Sequence, residues 1–284
     1  MSHTATSLPR DPTPFSHHDG PVGALLVHGF SGTPGELRPL AEHLAHQGYS
    51  VEAPLLAGHG GSQDELGVVT WQDWVASAER ALDSLRTRCP SVVLVGFSMG
   101  GAITLYMAGT DGAARRKIAG IVTMSALTRI NSPLTVLLPI ARHVMPYVYP
   151  LRLRGIDLTK PEVIERLRDY IPDLRVDPSK PTEIAALRRG VKVSVGAVYQ
   201  LNVLLRHMRS ALPRVTAPAL LIQATHDEQI PRSSLDEIYR RIGSRDKRVV
   251  RLARSGHMLL AGPERDEILA QVTAFLQQIG QPAV

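Results

Sequence analysis

Val92-Val93-Leu94-Val95-Gly96-Phe97-Ser98-Met99-Gly100-Gly101 decides the fold. The apolar run Val92–Phe97 reads as a buried strand, and Gly100–Met107 reads as a helix. Between them a serine stands in the pattern G-x-S-x-G, where a strand must turn sharply into a helix. Such a turn strains the backbone, and the glycines on either side remove side chains that would collide there. The helix N-terminus favours negative charge developing beside Ser98. A serine hydroxyl is a weak nucleophile near neutral pH, so the motif directs the search to a base and an acid.

Outward from this turn, strands and helices alternate. Val22–His28, Tyr49–Pro54, Ile118–Met124, Ala219–Ala224 and Arg248–Leu252 read as strands. Leu37, Leu40, Ala41, Leu44 and Ala45 have helical spacing, as do Trp71, Trp74, Val75, Ala78 and Leu82. Leu235–Ile242 and Glu264–Ile279 complete the helices. The alternation predicts an α/β architecture, a mainly parallel sheet with helices on both faces. Thr128–Pro213 interrupts it: prolines at 133, 139, 146 and 150 punctuate an apolar stretch, and Pro161–Arg168 and Thr182–Met208 look helical. The expected division is a flexible N-terminal arm over 1–20, a core over 21–127 and 214–284, and a helical cap inserted over 128–213.

Downstream, His257 sits in the loop after the last strand, Arg254-Ser255-Gly256-His257-Met258. Its imidazole is placed to take the Ser98 proton and return it to a leaving group. Asp227 follows Ala219–Ala224 in Thr225-His226-Asp227-Glu228, with Glu228 as the neighbouring competitor. The strand–loop position favours Asp227 as the residue that orients the imidazole. The order Ser98, Asp227, His257 matches the order in which this triad occurs on strand–turn–helix scaffolds. Backbone N–H groups of Met99, after the nucleophile, and of Phe30, in the loop His28-Gly29-Phe30-Ser31-Gly32, are the expected oxyanion donors. His28 and His59 read as loop-stabilising residues.

Composition narrows the remaining classes. The 284 residues are 44% hydrophobic and 20% charged, with one cysteine, Cys89, so no internal disulfide can form. The apolar runs are strand-sized, too short for a transmembrane helix, and Met1–Gly20 lacks a secretory pattern; the cytoplasm is the expected compartment. The net charge of +6 is concentrated in Thr128–Pro213, which holds 14 Lys and Arg against 7 Asp and Glu. Acids are interspersed there and no basic-aromatic pattern occurs, which argues against nucleic acid. A basic, partly apolar segment is compatible with transient contact with a membrane surface. No metal or cofactor is expected.

Together these motifs resemble the bacterial carboxylesterase and monoacylglycerol lipase group of α/β-hydrolases. His28-Gly29-Phe30-Ser31-Gly32, Ala57-Gly58-His59-Gly60, Gly96-Phe97-Ser98-Met99-Gly100-Gly101, Thr225-His226-Asp227-Glu228 and Ser255-Gly256-His257 carry the resemblance, with Trp71-Gln72-Asp73-Trp74. It spans about 22–127 and 215–279. It implies an α/β-hydrolase fold and hydrolysis of a small-molecule ester or lipid through an acyl-enzyme on Ser98. The cap would line the pocket, and the apolar Leu134–Tyr149 would cover the acyl chain or simply pack within the cap. The alternatives are a peptidase or acyltransferase with the same triad, or a low-turnover binding protein on this scaffold. Dehalogenases and epoxide hydrolases of this fold carry aspartate where Ser98 stands.

Overall fold

The computed structural model describes residues 10–110, 118–153, 156–168 and 174–280. Its centre is a seven-stranded sheet, in chain order β1 (Phe15–His17), β2 (Val22–Val27), β3 (Ser50–Ala53), β4 (Ser91–Phe97), β5 (Ile118–Met124), β8 (Ala219–Ala224) and β9 (Lys247–Leu252). The spatial order is β1-β3-β2-β4-β5-β8-β9. All pairs are parallel except β1 with β3. The expected mainly parallel sheet is therefore observed.

Alternation along each strand divides the core in two. Leu25, Val27, Leu94, Ile121 and Leu221 face one layer, made of α3 (Trp71–Arg86), α4 (Met99–Gly109), α9 (Val195–Ala211) and α10 (Arg232–Arg241). Ala24, Leu26, Val93, Val95, Val122 and Ile222 face the other, made of α1 (Arg38–His46) and α11 (Arg265–Gly280). Helix starts follow local chemistry. Thr70 and Asp73 form a reciprocal capping box on α3, and Ser62 and Glu65 do the same for the short α2 (Gln63–Val68).

Three expectations are corrected. The flexible arm over 1–20 does not extend to its end: Phe15–His17 pairs antiparallel with Val51–Ala53, and Arg38 bridges to Asp11 at 2.8 Å. The open edge of β3 supplies the pairing, which a three-residue segment cannot signal by hydrophobic pattern. Residues 1–9 lie outside the described residues. Second, Thr182–Met208 is two helices, α8 (Pro181–Gly190) and α9, split by β7 (Val193–Ser194), which pairs with β6 (Tyr147–Val148). Third, α9 belongs to the main core, with Leu201, Leu204, Leu205 and Met208 packed in the α4 layer. The separate cluster of the inserted segment is narrower, formed by Leu151, Leu158, Ile164, Leu174, Ile184 and Leu187. It draws on α6 (Pro150–Leu153), α7 (Pro161–Arg168) and α8.

Several prolines in the insertion start helices, whereas Pro146 lies in the bend between Val144 and Tyr147. Pro133 opens a 3-10 turn, Pro139 lies in the first turn of α5 (Leu138–Val144), and Pro150, Pro161 and Pro181 open α6, α7 and α8. Leu134, Val136, Leu137, Ile140, Val144 and Met145 on this stretch are exposed, between 46% and 77%. Part of the basic excess is spent on tyrosines: Arg142 lies 4.2 Å from the Tyr199 ring, Arg152 4.3 Å from Tyr149 and Lys192 4.0 Å from Tyr147. Among the described residues no helix is long and apolar enough to cross a membrane.

Candidate active site

Ser98 links β4 to α4 with φ 52° and ψ −117°, a left-handed conformation that costs energy for any residue with a side chain. Its amide donates to the Met124 carbonyl at 2.8 Å, and its carbonyl accepts from Gly101 and Ala102. The flanking glycines are obligatory for space. A Cβ on Gly96 would lie 2.3 Å from the Gly100 carbonyl oxygen, and one on Gly100 would lie 1.9 Å from that of Val27. Met99 is the first residue of α4 and fully buried, so its amide is one of the orphan donors of a helix start.

Two more serines share the left-handed conformation, Ser31 with φ 58° and Ser125 with φ 47°. They follow β2 and β5 as Ser98 follows β4, so the backbone strain collects at the C-terminal ends of neighbouring central strands. That is where open parallel sheets bind ligands. Sequence reading did not single out Ser31 or Ser125, because serine carries no sign of its φ.

The loops after β8 and β9 bring Asp227 and His257 together. His257 Nδ1 lies 2.9 Å from Asp227 Oδ2, and both side chains are buried, 6% and 0% exposed. The other oxygen, Oδ1, accepts from the amides of Gln229 and Ile230 at 2.9 Å each, so the carboxylate orientation is fixed. Burial pushes the Asp227 pKa up, but the His257 ring and the Ile230 amide outweigh it and hold the carboxyl below its ordinary range. Glu228 and His226 are exposed, which settles the local competition in favour of Asp227 as the partner of His257. The Phe97 ring, immediately before Ser98, lies 5.0 Å from the His257 ring.

Phe30 is half-buried and its ring meets Trp74 edge-on at 6.1 Å, so the ring serves packing. Its loop is held from below. His28 Nε2 accepts from the Leu56 amide at 3.1 Å and Nδ1 donates to the Gly29 carbonyl at 3.0 Å. Burial, then the neighbouring His59, pushes the His28 pKa down to about 3; burial pushes that of His59 to about 4. Both rings are neutral near pH 7 and stabilise loops, as expected. Glu36, unnoticed in the sequence, accepts from the Gly29 amide at 3.1 Å.

The geometry has close counterparts among known proteins. The chain is 32% identical to the thermostable monoacylglycerol lipase of Bacillus sp. (strain H-257), across 92% of this chain and 93% of that protein. It is 25% identical to a carboxylesterase of Bacillus subtilis (strain 168), across 94% and 97%. Among solved structures, a metagenome-derived lipolytic enzyme superimposes with a TM-score of 0.76 at 29% identity, across 96% of this chain and 99% of that one. The family model described as serine aminopeptidase, S33, matches residues 23–264, most of the chain. The chain therefore belongs to the serine aminopeptidase S33 family of α/β-hydrolases.

Proposed function

We propose that this protein hydrolyses carboxylic esters of short-to-medium acyl chains or monoacylglycerols through an acyl-enzyme on Ser98. The observation that carries the reading is the buried Asp227–His257 pair, with the His257 ring against the residue that precedes Ser98. Because Nδ1–H donates to Asp227, Nε2 is left with the lone pair and serves as base. It takes the Ser98 proton as Oγ attacks the ester carbonyl. The oxyanion is held by the Phe30 and Met99 amides, and its collapse expels the alcohol, which takes the proton from His257. Water, deprotonated in turn by His257, then attacks the acyl-enzyme and releases the acid and free Ser98. Asp227 stays ionised throughout and favours the imidazolium.

The names of the relatives favour ester over amide, although the family takes its name from aminopeptidases. The exposed apolar face of Leu134–Met145 supports a lipid substrate delivered from a surface. No acidic residue occurs from Ala126 to Ile156, while Arg129, Arg142, Arg152 and Arg154 do, so this flank suits an anionic lipid aggregate.

The test is a panel of p-nitrophenyl esters of increasing chain length, monoacylglycerols and amino-acid amides, run on wild type and Ser98→Ala. We expect ester turnover and fluorophosphonate labelling by wild type alone. Folded wild type that neither labels nor turns over any ester would refute the proposal; amide turnover exceeding ester turnover would replace it with a peptidase.

A further inference from the structure

Beyond the triad, one buried carboxylate is committed wholly to the loop that carries His257. Glu264, just before α11, is 6% exposed. Its Oε1 accepts from the Ala253 amide at 2.9 Å; its Oε2 accepts from the Arg254 amide at 2.9 Å and the Ser255 amide at 2.7 Å. The Ser255 hydroxyl, fully buried, donates to Oε2 at 2.7 Å. The nearest cation is Arg254, whose Nε is 4.0 Å away on a side chain 66% exposed. The negative charge is thus neutralised chiefly by three successive backbone dipoles and one hydroxyl. Burial pushes the pKa up, but the Ser255 hydroxyl and the three amides together hold it below its ordinary range.

Three consecutive amides can converge on one carboxylate only in a narrow range of backbone shapes. The dependence therefore runs both ways: the loop keeps the carboxylate charged, and the carboxylate imposes the turn. His257 follows two residues after Ser255, with no regular element between β9 and its ring. Nothing in this shape is needed for β9 or α11 to form, since both are packed through Leu252, Ile268 and Val272.

We propose that Glu264 is a positioning residue: by gripping residues 253–255 it sets the approach of His257 to Asp227 and Ser98. This rests on the reading of His257 as the base. Its loss is expected to slow proton transfer and leave ester binding in place.

The test compares wild type with Glu264→Gln and Ser255→Ala, by kcat and KM on p-nitrophenyl butyrate, by the rate of fluorophosphonate labelling, and by the low-field NMR signal of the His257 Nδ1 proton. In Glu264→Gln we expect kcat and labelling to fall at least 30-fold, KM to stay within about twofold, and the low-field signal to broaden or vanish. Ser255→Ala removes one donor of four and should lower kcat about fivefold with KM unchanged. Folded Glu264→Gln that labels at the wild-type rate overturns the inference. Should Glu264→Gln not fold, Ser255→Ala decides: kcat within twofold of wild type overturns the inference. Wild type that does not label at all instead overturns the hydrolase reading itself.

Discussion

Glu36 makes the protein's stability depend on pH in a direction opposite to that of most acidic side chains. Its carboxylate is turned against the 28–32 loop, accepting from the Gly29 amide at 3.1 Å and lying where a Cβ on Gly32 would be 2.2 Å away. Burial raises its pKa from 4.5 to about 7, partly opposed by the Gly29 hydrogen bond and by the charge of Arg10. A raised acid pKa means that the folded chain holds the proton more tightly than the unfolded chain. The associated stability is complete below about pH 4.5 and is lost as pH rises through about 7. At about 1.4 kcal/mol per pH unit, the loss amounts to at most about 3.5 kcal/mol, an upper limit because Glu36 keeps partial solvent contact. Glu36→Gln mimics the protonated acid, since its amide oxygen still accepts from Gly29 and never ionises. Urea unfolding of both proteins at pH 5, 6, 7 and 8 isolates this group, because every other titration cancels in the difference. The advantage of the variant over wild type should already be present at pH 5 and should grow by about 2 kcal/mol between pH 5 and pH 8. A difference that stays flat with pH would refute the reasoning.

Asp227→Asn should lower kcat by about three orders of magnitude with the fold intact, because an amide at this position favours the wrong His257 tautomer. Glu228→Gln, exposed beside it, should stay within about twofold; steady-state ester assays separate the two. Gly100→Ala would drive a Cβ to 1.9 Å from the Val27 carbonyl oxygen, and urea unfolding should show a loss of about 3 kcal/mol or more. Ile140→Asp with Val144→Asp should weaken binding to anionic phosphatidylserine vesicles at least tenfold, by removing apolar area and adding negative charge, and should leave turnover of soluble p-nitrophenyl butyrate unchanged. Sedimentation with vesicles checks the first part.

What the sequence disclosed depended on how far each residue's role is carried by its immediate neighbours. Ser98 was legible because strand, turn, glycines and helix are contiguous, and the clash at Gly96 is with Gly100 of that same short stretch, whereas the one at Gly100 comes from Val27 on the neighbouring strand. His257 and Asp227 were legible only through their places after β9 and β8; which acid meets the imidazole became clear from the buried 2.9 Å contact. β1 was hidden because its pairing comes from the free edge of β3, a partner more than thirty residues away. The exposure of Leu134, Val136, Leu137, Ile140, Val144 and Met145 was not legible because an apolar stretch in sequence looks the same whether it is packed or presented. α9 was assigned to the cap because helical spacing does not say which layer a helix joins.

Glu36 and Glu264 escaped notice for a further reason, and it bears on how the loops carrying Phe30 and His257 keep their shape. Glu36 accepts from one backbone amide and Glu264 from three, and an amide donor leaves no mark in the sequence. Glu264 reads there as an ordinary acid near a helix start, and Glu36 as a polar residue of a first turn. In the fold they occupy equivalent positions, one against the loop after β2 and the other against the loop after β9. Side-chain packing alone fixes such loops poorly, because they expose much backbone and little apolar surface. A carboxylate accepting from several amides at once supplies direction as well as energy. The two differ in how fully they are satisfied, one donor for Glu36 and four for Glu264, and their pKa shifts differ in sign accordingly. The loop carrying His257 is thus held by a carboxylate that stays charged, while the loop carrying Phe30 is held by one that loses its advantage as pH rises through about 7. The two loops should therefore respond differently to pH: on the alkaline side the support beneath the Phe30 loop weakens first, while the His257 turn keeps its grip.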